Sequence, residues 1–422
     1  HIDSMKHTIY LIALLLLSSC NNFLNITPDG QVSRDDMLST DAGIEDALYG
    51  AYAKMRTNNL YGSQMTFGTM DVLAQYLSCT GNATVESLLK YDYQNTSVQD
   101  IFEDIWTSMY NNVSNVNSVL GSKLVSGATT YPHCIYRGEA LAMRAYMLFD
   151  LVRLFADQIT QNPTAKGIPY ATEFSLDTPA FETLGQNYAH ILADLTLAET
   201  LLQDEDKHLN KSNFMSDRCI HLNLHAVRAL LARVYLTMGN HEKALHYARL
   251  VIEHSGRELC EQSAFVASQH GMMFPDETLF GLYHGTWFDD AVDARLQKTT
   301  SFYSYNPTAT ILNHYVGADR RGGDTRSGFF GYNDGSNVLR LMKLSDENAR
   351  NGISGAQGTL IPGINMIKLV EMYYIAAECL LAGSNPDPQQ ATRYMTQVYD
   401  SRGVAYEPDY TATLDDITEE RY

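Results

Sequence analysis

The stretch Leu222 to Gly256, LNLHAVRALLARVYLTMGNHEKALHYARLVIEHSG, decides the fold. Val227, Leu230, Leu231, Val234, Tyr235 and Met238 recur at helical spacing and form one apolar stripe. Gly239 stops that helix, and Asn240 can cap the next, with Glu242 in its first turn near the positive helix end. The second helix sets Ala244, Leu245, Ala248, Val251 and Ile252 inward; His254 lies in its last turn and Gly256 follows as a stop. Ala232 and Ala244 are small where two antiparallel helices must come close. One such pair cannot bury both of its faces, so the chain must supply further helices.

Leu231-Ala232, Tyr235, Gly239 and Ala244 match the spacing of a tetratricopeptide helix pair, with Ala248 in place of a large residue and Gly256 in place of the final Pro. Such a pair is a scaffold rather than a chemistry. The spacing returns at Ile375-Ala376, Cys379 and Gly383, 144 residues on, so the pairs are interrupted by other structure instead of forming a tandem array.

The chain has 422 residues, 45% hydrophobic and 19% charged, which fits a globular protein with a large core. A net charge of −19 argues against nucleic acid as a partner, because phosphates require clustered Lys and Arg. Tyr outnumbers Phe, 27 to 15; Tyr joins an apolar face to a polar tip and suits surfaces that bind sugars or proteins, although many will simply fill helix interfaces.

Met5-Lys6-His7 reads as a short positive segment and Ile9 to Leu17 as an apolar one too short to span a bilayer, which needs about 20 residues. Leu17-Ser18-Ser19-Cys20 has the form of a bacterial lipobox. Residues 5–19 are therefore read as a lipoprotein signal peptide, Cys20 as the lipidation site, and residues 20–35 as a lipid-anchored tether; His1 to Ser4 precede the start Met. The other cysteines, Cys79, Cys134, Cys219, Cys260 and Cys379, are scattered, with no CxxC, and predict neither a disulfide framework nor a zinc site.

Apolar periodicity predicts helices over Asp41–Arg56, Val98–Leu120, Tyr136–Ala156, Thr183–Leu202, Ile364–Leu381 and Gln389–Arg402. Arg137, Arg144 and Arg153 are expected on the wetter side of the third. Ser78 to Ser97 reads as an exposed loop or a lone hairpin. From 260 to 363 the texture is rich in Gly, aromatics and short apolar pieces, with a candidate strand at Glu277–Tyr283; long connections of this kind are usually functional. The last residues, Glu419-Glu420-Arg421-Tyr422, start a helix, and the chain is read as truncated at its C-terminus.

In order, these pieces resemble the SusD/RagB family of Bacteroidetes outer-membrane lipoproteins. The resemblance rests on Cys20-Asn21-Asn22-Phe23-Leu24 with Thr27-Pro28, Ile105-Trp106 with Tyr110 and Asn117, Gly138-Glu139-Ala140, Arg144-Ala145 and Leu151 to Phe155. It continues through Asp194-Leu195 with Ala198, Leu230 to Ala248, Glu277 to Phe280, Asp319-Arg320-Arg321, Leu369 to Glu378 and Thr418 to Arg421. It implies a mainly α, SusD-like fold: a helical scaffold over 36–256 and 364–403 carrying a loop-rich, partly β region over 260–363, in one domain of 36–422. It also implies a lipoprotein that lids a SusC-like TonB-dependent transporter and captures glycan, or in some members peptide. The lipidated Cys20 is the one residue whose role the resemblance transfers.

No catalytic pattern emerges from the residues. His221 and His225 lie four apart but lack the Glu of HExxH and read as scaffold; Gly352, Gly355 and Gly358 lack the strand–helix context of a dinucleotide fingerprint. Glu103-Asp104 and Asp289-Asp290 could be carboxylate couples, but acidic pairs are usually solvated. Glycan binding needs less: an aromatic face under a sugar ring and polar groups around it. The candidates are the loop aromatics Tyr91, Tyr93, Trp287, Phe288, Tyr303 and Tyr305, with Asn82, Asp289 and Arg320 as polar partners. No cofactor or metal is expected. Two other readings stay open, a periplasm-facing tetratricopeptide adaptor and a peptide binder; a glycoside hydrolase is disfavoured.

Overall fold

The computed structural model describes residues 33–177, 179–262, 276–287, 296, 305–316, 323–332, 339–341 and 363–421. Within them the chain is mainly helical. The first elements are α1 (Arg34–Met37), α2 (Asp41–Met55), α3 (Thr69–Leu73), β1 (Leu77–Ser78) and α4 (Ala83–Leu89). The long helices α5 (Thr96–Leu120), α6 (His133–Phe155) and α7 (Leu184–Leu202) follow, with β2 (Lys166–Pro169) and β3 (Phe181–Thr183) between the last two.

The quoted stretch folds as read. It forms α8 (Leu224–Thr237) and α9 (His241–His254). Asn223 accepts a hydrogen bond from the Ala226 amide at 3.0 Å and Asn240 one from the Lys243 amide at 3.1 Å, so each helix starts on a side-chain cap. Gly239 between them has φ +70°, a backbone region that suits glycine. Ala232 and Ala244 are both fully buried. Cys260, Cys379, Cys79 and Cys134 are buried too, Cys219 is half-buried, and these five form no disulfide. Burial pushes the Cys260 and Cys379 thiols up to about 12.

The remaining elements are β4 (Thr278–Tyr283), β5 (Asn306–Pro307), α10 (Ala309–Tyr315), β6 (Phe330–Tyr332), β7 (Leu339–Leu341), β8 (Gly363–Lys368), α11 (Leu369–Ala382), α12 (Pro388–Arg402) and α13 (Leu414–Arg421). Helices α5 to α9 each pack on the next, and α11 then packs directly on α9 and carries α12. The two tetratricopeptide-like pairs, 144 residues apart in sequence, are therefore neighbours in space. One apolar core runs through all of them, from Leu38 to Ile417.

Three expectations are corrected. The segment after Ser78 is neither a loop nor a hairpin: Asn82 caps α4 by accepting from the Val85 amide at 3.2 Å, and Asn95 caps α5. Residues 363–368 are a strand antiparallel to β4, with Thr278 opposite Lys368 and Tyr283 opposite Gly363, so the helix begins only at Leu369. A short apolar run reads alike for strand and buried helix, and a partner 80 to 90 residues away decided it. Arg144 is buried, because α6 is enclosed on nearly every side. A Cβ on Gly138 would meet Leu202 Cγ at 2.8 Å, so glycine here sets how closely α7 approaches α6.

Candidate functional site

The segment between α2 and α5 leaves the helical stack and returns to it, and the loop-rich region docks on that excursion. Two aromatic contacts make the joint. Trp287 packs 6.1 Å from Phe67, and Tyr305 meets the same ring edge-on at 6.5 Å. Backbone pairing completes it: β1 and β5 are antiparallel, with Leu77 opposite Pro307 and Ser78 opposite Asn306. Thr308 then donates its amide to Tyr76 O at 2.9 Å and its hydroxyl to Gln75 O at 2.7 Å. Segments more than 200 residues apart in sequence are thereby joined.

Trp287 is not the exposed loop tip expected of it. Its side chain is 2% exposed, and its indole N–H donates to Gly62 O at 2.6 Å. A large apolar ring with its polar atom satisfied inside the core is an anchor, not a stacking surface. Tyr91 and Tyr93 are the opposite case, at 51% and 47% exposed. The Tyr91 hydroxyl donates to Leu73 O at 3.1 Å and accepts from Gln75 Nε2 at 3.4 Å, while Gln75 Nε2 also donates to Leu89 O at 3.1 Å. Tyr93 stands edge-on to Phe102 at 5.7 Å, and Gln99 donates to its carbonyl at 3.1 Å. Gln75 and Tyr91 both have positive φ, +63° and +55°. Such backbone costs on the order of 1 kcal/mol or more for a bulky residue and persists only where its surroundings hold it. The two rings are thus displayed on a braced turn. Asn82, expected as a polar partner, has its Oδ1 engaged in the α4 cap. Phe288, Asp289, Tyr303 and Arg320, like Cys20, lie outside the described residues.

Behind the β1–β5 joint lies a cavity of about 400 Å³ walled by Leu77, Ile311, Tyr315 and Tyr374. Its floor is an ion-paired cluster in which Arg326 donates to Asp324 at 2.8 Å and to Glu420 at 2.8 Å, tying α13 to the loop-rich region. Among the described residues no group of three His, Cys, Asp or Glu side chains is placed to hold a metal ion, and no helix is long and apolar enough to cross a membrane.

Comparison with known proteins places the chain. A family model described as starch-binding, associating with outer membrane (SusD-like) matches residues 22–236, half of the chain. The chain belongs to the SusD-like family. SusD-like protein P2 of Formosa agariphila is 25% identical over 257 residues, covering 59% of this chain and 46% of that protein. The chain thus spans about half the length of the curated relative it matches. Among solved structures, a SusD superfamily protein of Bacteroides thetaiotaomicron superposes with a TM-score of 0.69 at 23% identity, covering 92% of this chain and 85% of that one. A SusD-like carbohydrate binding protein of Bacteroides vulgatus gives 0.69 at 17% identity, covering 90% and 79%.

In this SusD-like chain, polar residues that carry the family likeness are joints of the scaffold. Glu139, fully buried on α6, receives Arg218 Nη1 at 2.5 Å, the Tyr52 hydroxyl at 2.7 Å and His221 Nδ1 at 3.0 Å. Arg218 also reaches Glu205 at 2.8 Å, and Glu205 caps α8 by accepting from the Leu224 amide at 2.6 Å. Burial alone would raise the Glu139 carboxyl, but Arg218, His221 and the hydrogen bonds outweigh it and hold it at about 2. Arg144 grips Asp194 with two bonds of 2.7 and 2.8 Å and also reaches Asn117 at 2.9 Å; Tyr170 donates to the same Asp194 at 2.7 Å. Glu371 receives Arg233 twice, at 2.5 and 2.6 Å.

His221 and His225 do not share a helix face. His221 lies ahead of α8 in extended backbone, while His225 is inside it, with burial and then Arg228 lowering it to about 4. Sequence reasoning missed Gln75, Phe67, Arg218 and Glu205. Gln75 and Phe67 carry no local signal, since their roles exist only once β1 and β5 pair.

Proposed function

We propose that this chain is a non-catalytic, lipid-anchored protein of the outer-membrane surface that captures glycan and hands it to a SusC-like TonB-dependent transporter. In this reading residues 5–19 are the signal peptide, Cys20 carries the lipid, residues 20–35 are the tether and 36–422 are one domain. The family description and the lipobox support the location; the continuous core from Leu38 to Ile417 supports the single domain.

The observation that carries the binding role is the displayed pair Tyr91 and Tyr93 on a braced turn, beside the joint that seats the loop-rich region. A half-exposed tyrosine offers an apolar face to a pyranose, and a ring held in place loses little entropy on binding. Tyr305, which packs on Phe67 at the joint, is kept as a candidate, and Phe288, Asp289, Tyr303 and Arg320 follow from their neighbourhood in sequence. Trp287 is assigned to anchoring the loop and not to stacking.

The test is affinity electrophoresis through gels containing starch and other neutral polysaccharides, with Tyr91→Ala and Tyr93→Ala beside the unaltered chain. Retardation of the chain, reduced in both variants, is expected. Absence of retardation in every glycan gel together with peptide binding would overturn the glycan assignment. Protease added to whole cells tests the location, and a protected protein would favour the periplasmic adaptor.

A further inference from the structure

β2 and β3 form a hairpin, with Pro169 opposite Phe181, and the loop between them carries an apolar tip. Among the described residues Phe174 and Phe181 are the two phenylalanines left exposed, and Leu176 is the most exposed large apolar side chain. The foot of the loop is held by buried side chains of the scaffold. Asn117 donates to Ala171 O at 2.9 Å and to Glu173 O at 3.3 Å, and Arg144 donates to Thr172 O at 3.0 Å. Single exposed apolar residues are ordinary on a protein surface; three on one projecting loop with a fixed foot are a site of contact.

The place of the tip in the molecule points to what it meets. Arg34, the first residue of α1, sets its guanidinium 4.2 Å from the centre of the Phe174 ring, and Met37 on the same helix is exposed too. The sequence before α1 leads back to Cys20, which is 13 residues from Ser33, a reach of at most about 45 Å at full extension. Helix α5 begins just after Tyr93, holds the foot of the loop through Asn117 in its last turn, and is about 37 Å long over its 25 residues. The displayed tyrosines and the apolar tip thus lie at opposite ends of one helix, and the tip is at the end where the tether enters. Lys166 sets its ammonium 3.8 Å from the centre of the Phe181 ring. Two rings with a cation over each, beside a bare leucine, suit a lipid surface: the apolar groups enter the boundary between head groups and acyl chains, and the cations stay at head-group depth. A protein partner would need a broad patch of interface size, whereas this apolar surface is a projecting point flanked by the exposed carboxylates of Glu173 and Asp177.

We infer that the loop after β2 is a second membrane contact: Phe174, Leu176 and Phe181 dip into the lipid surface beside the anchor and fix which end of the molecule faces the bilayer. This rests on the proposed lipidation of Cys20. Because Glu173 and Asp177 flank the tip, apolar insertion and not attraction to anionic head groups carries the contact, which is therefore insensitive to salt.

The test is Leu176→Cys, labelled with a polarity-sensitive fluorophore in the lipidated chain and reconstituted into vesicles of phosphatidylethanolamine and phosphatidylglycerol. Leu176 is exposed, while Cys79, Cys134, Cys260 and Cys379 are buried and Cys219 is half-buried, so the added thiol takes the label. Its emission should shift to the blue on reconstitution. Nitroxide-bearing lipids should quench it severalfold more than the same label at Gln94→Cys, beside the displayed tyrosines, at low and high salt alike. Adding Phe174→Ser and Phe181→Ser, both at exposed positions, should remove most of the quenching and leave the melting temperature unchanged. Equal, weak quenching at both labels, in a chain that mass spectrometry shows to be lipidated, would overturn the membrane contact and leave the anchor standing. Shielding of the label only after a TonB-dependent transporter is added would assign the tip to a protein and also overturn it. A chain without lipid on Cys20 would overturn the anchor and the second contact together.

Discussion

Replacing Glu139 by Gln puts the buried cluster on α6 to a quantitative test. The carboxylate is fully buried and holds three donors from two segments, Tyr52 on α2 and Arg218 with His221 in the turn ahead of α8. The amide keeps the shape but removes the charge that compensates Arg218, which is then left to Glu205 alone. Breaking a buried pair by removing one partner costs about 3–5 kcal/mol. The pH dependence is more diagnostic than the cost. Held at about 2 in the folded chain against an ordinary 4.5, the Glu139 carboxyl binds fewer protons folded than unfolded between those values. Its stabilisation is therefore complete above pH 4.5 and lost as pH falls toward 2, a change on the order of 3 kcal/mol at roughly 1.4 kcal/mol per pH unit. Urea unfolding of the chain and of Glu139→Gln, followed by far-UV circular dichroism from pH 7 to pH 2.5, measures the gap directly. The gap should be widest at pH 7 and close progressively below pH 4.5. A gap that stays constant across that range would mean that Glu139 is not held ionised in the fold, and the account of the cluster would fail.

Other expectations follow from single contacts. Gly138→Ala should destabilise by about 1–3 kcal/mol through overpacking against Leu202, and Leu202→Ala in the same chain should recover part of it in a chemical-denaturation series. Ala232→Arg, at a fully buried helix contact, should give no soluble folded protein; a folded variant that had lost only glycan binding would place the site on the scaffold and not on the loops. Trp287→Ala should cost about 3–5 kcal/mol and lower the melting temperature, because it opens a cavity beside Phe67 and orphans Gly62 O. An unchanged melting temperature would contradict its role as an anchor. His225 is held at about 4 in the fold against an ordinary 6.5, so its neutral form opposes protonation and the chain loses stability as pH falls from 6.5 to 4. His225→Leu should remove that acid sensitivity, read as a flatter melting temperature between pH 7 and pH 4.

What the sequence determined by itself was the helical scaffold. Stripes such as Val227, Leu230, Leu231 and Val234 and caps such as Asn240 act within a turn or two, so their information is local and survives in one dimension. The same holds for the ordered series of motifs that pointed to the family. Tertiary structure alone decided three things. It made 363–368 a strand, because the partner that completes its hydrogen bonds lies at 278–283. It turned Arg144 inward, because Asp194 and Asn117 wait there to compensate a buried charge. And it sorted aromatics of one chemical type into opposite roles: Trp287 was drawn into the core by Phe67 and Gly62, while Tyr91 and Tyr93 were left standing out from a turn braced by Gln75. Exposure depends on which distant segments cover a residue, and in this chain the covering segment lies more than 200 positions away from the one it covers.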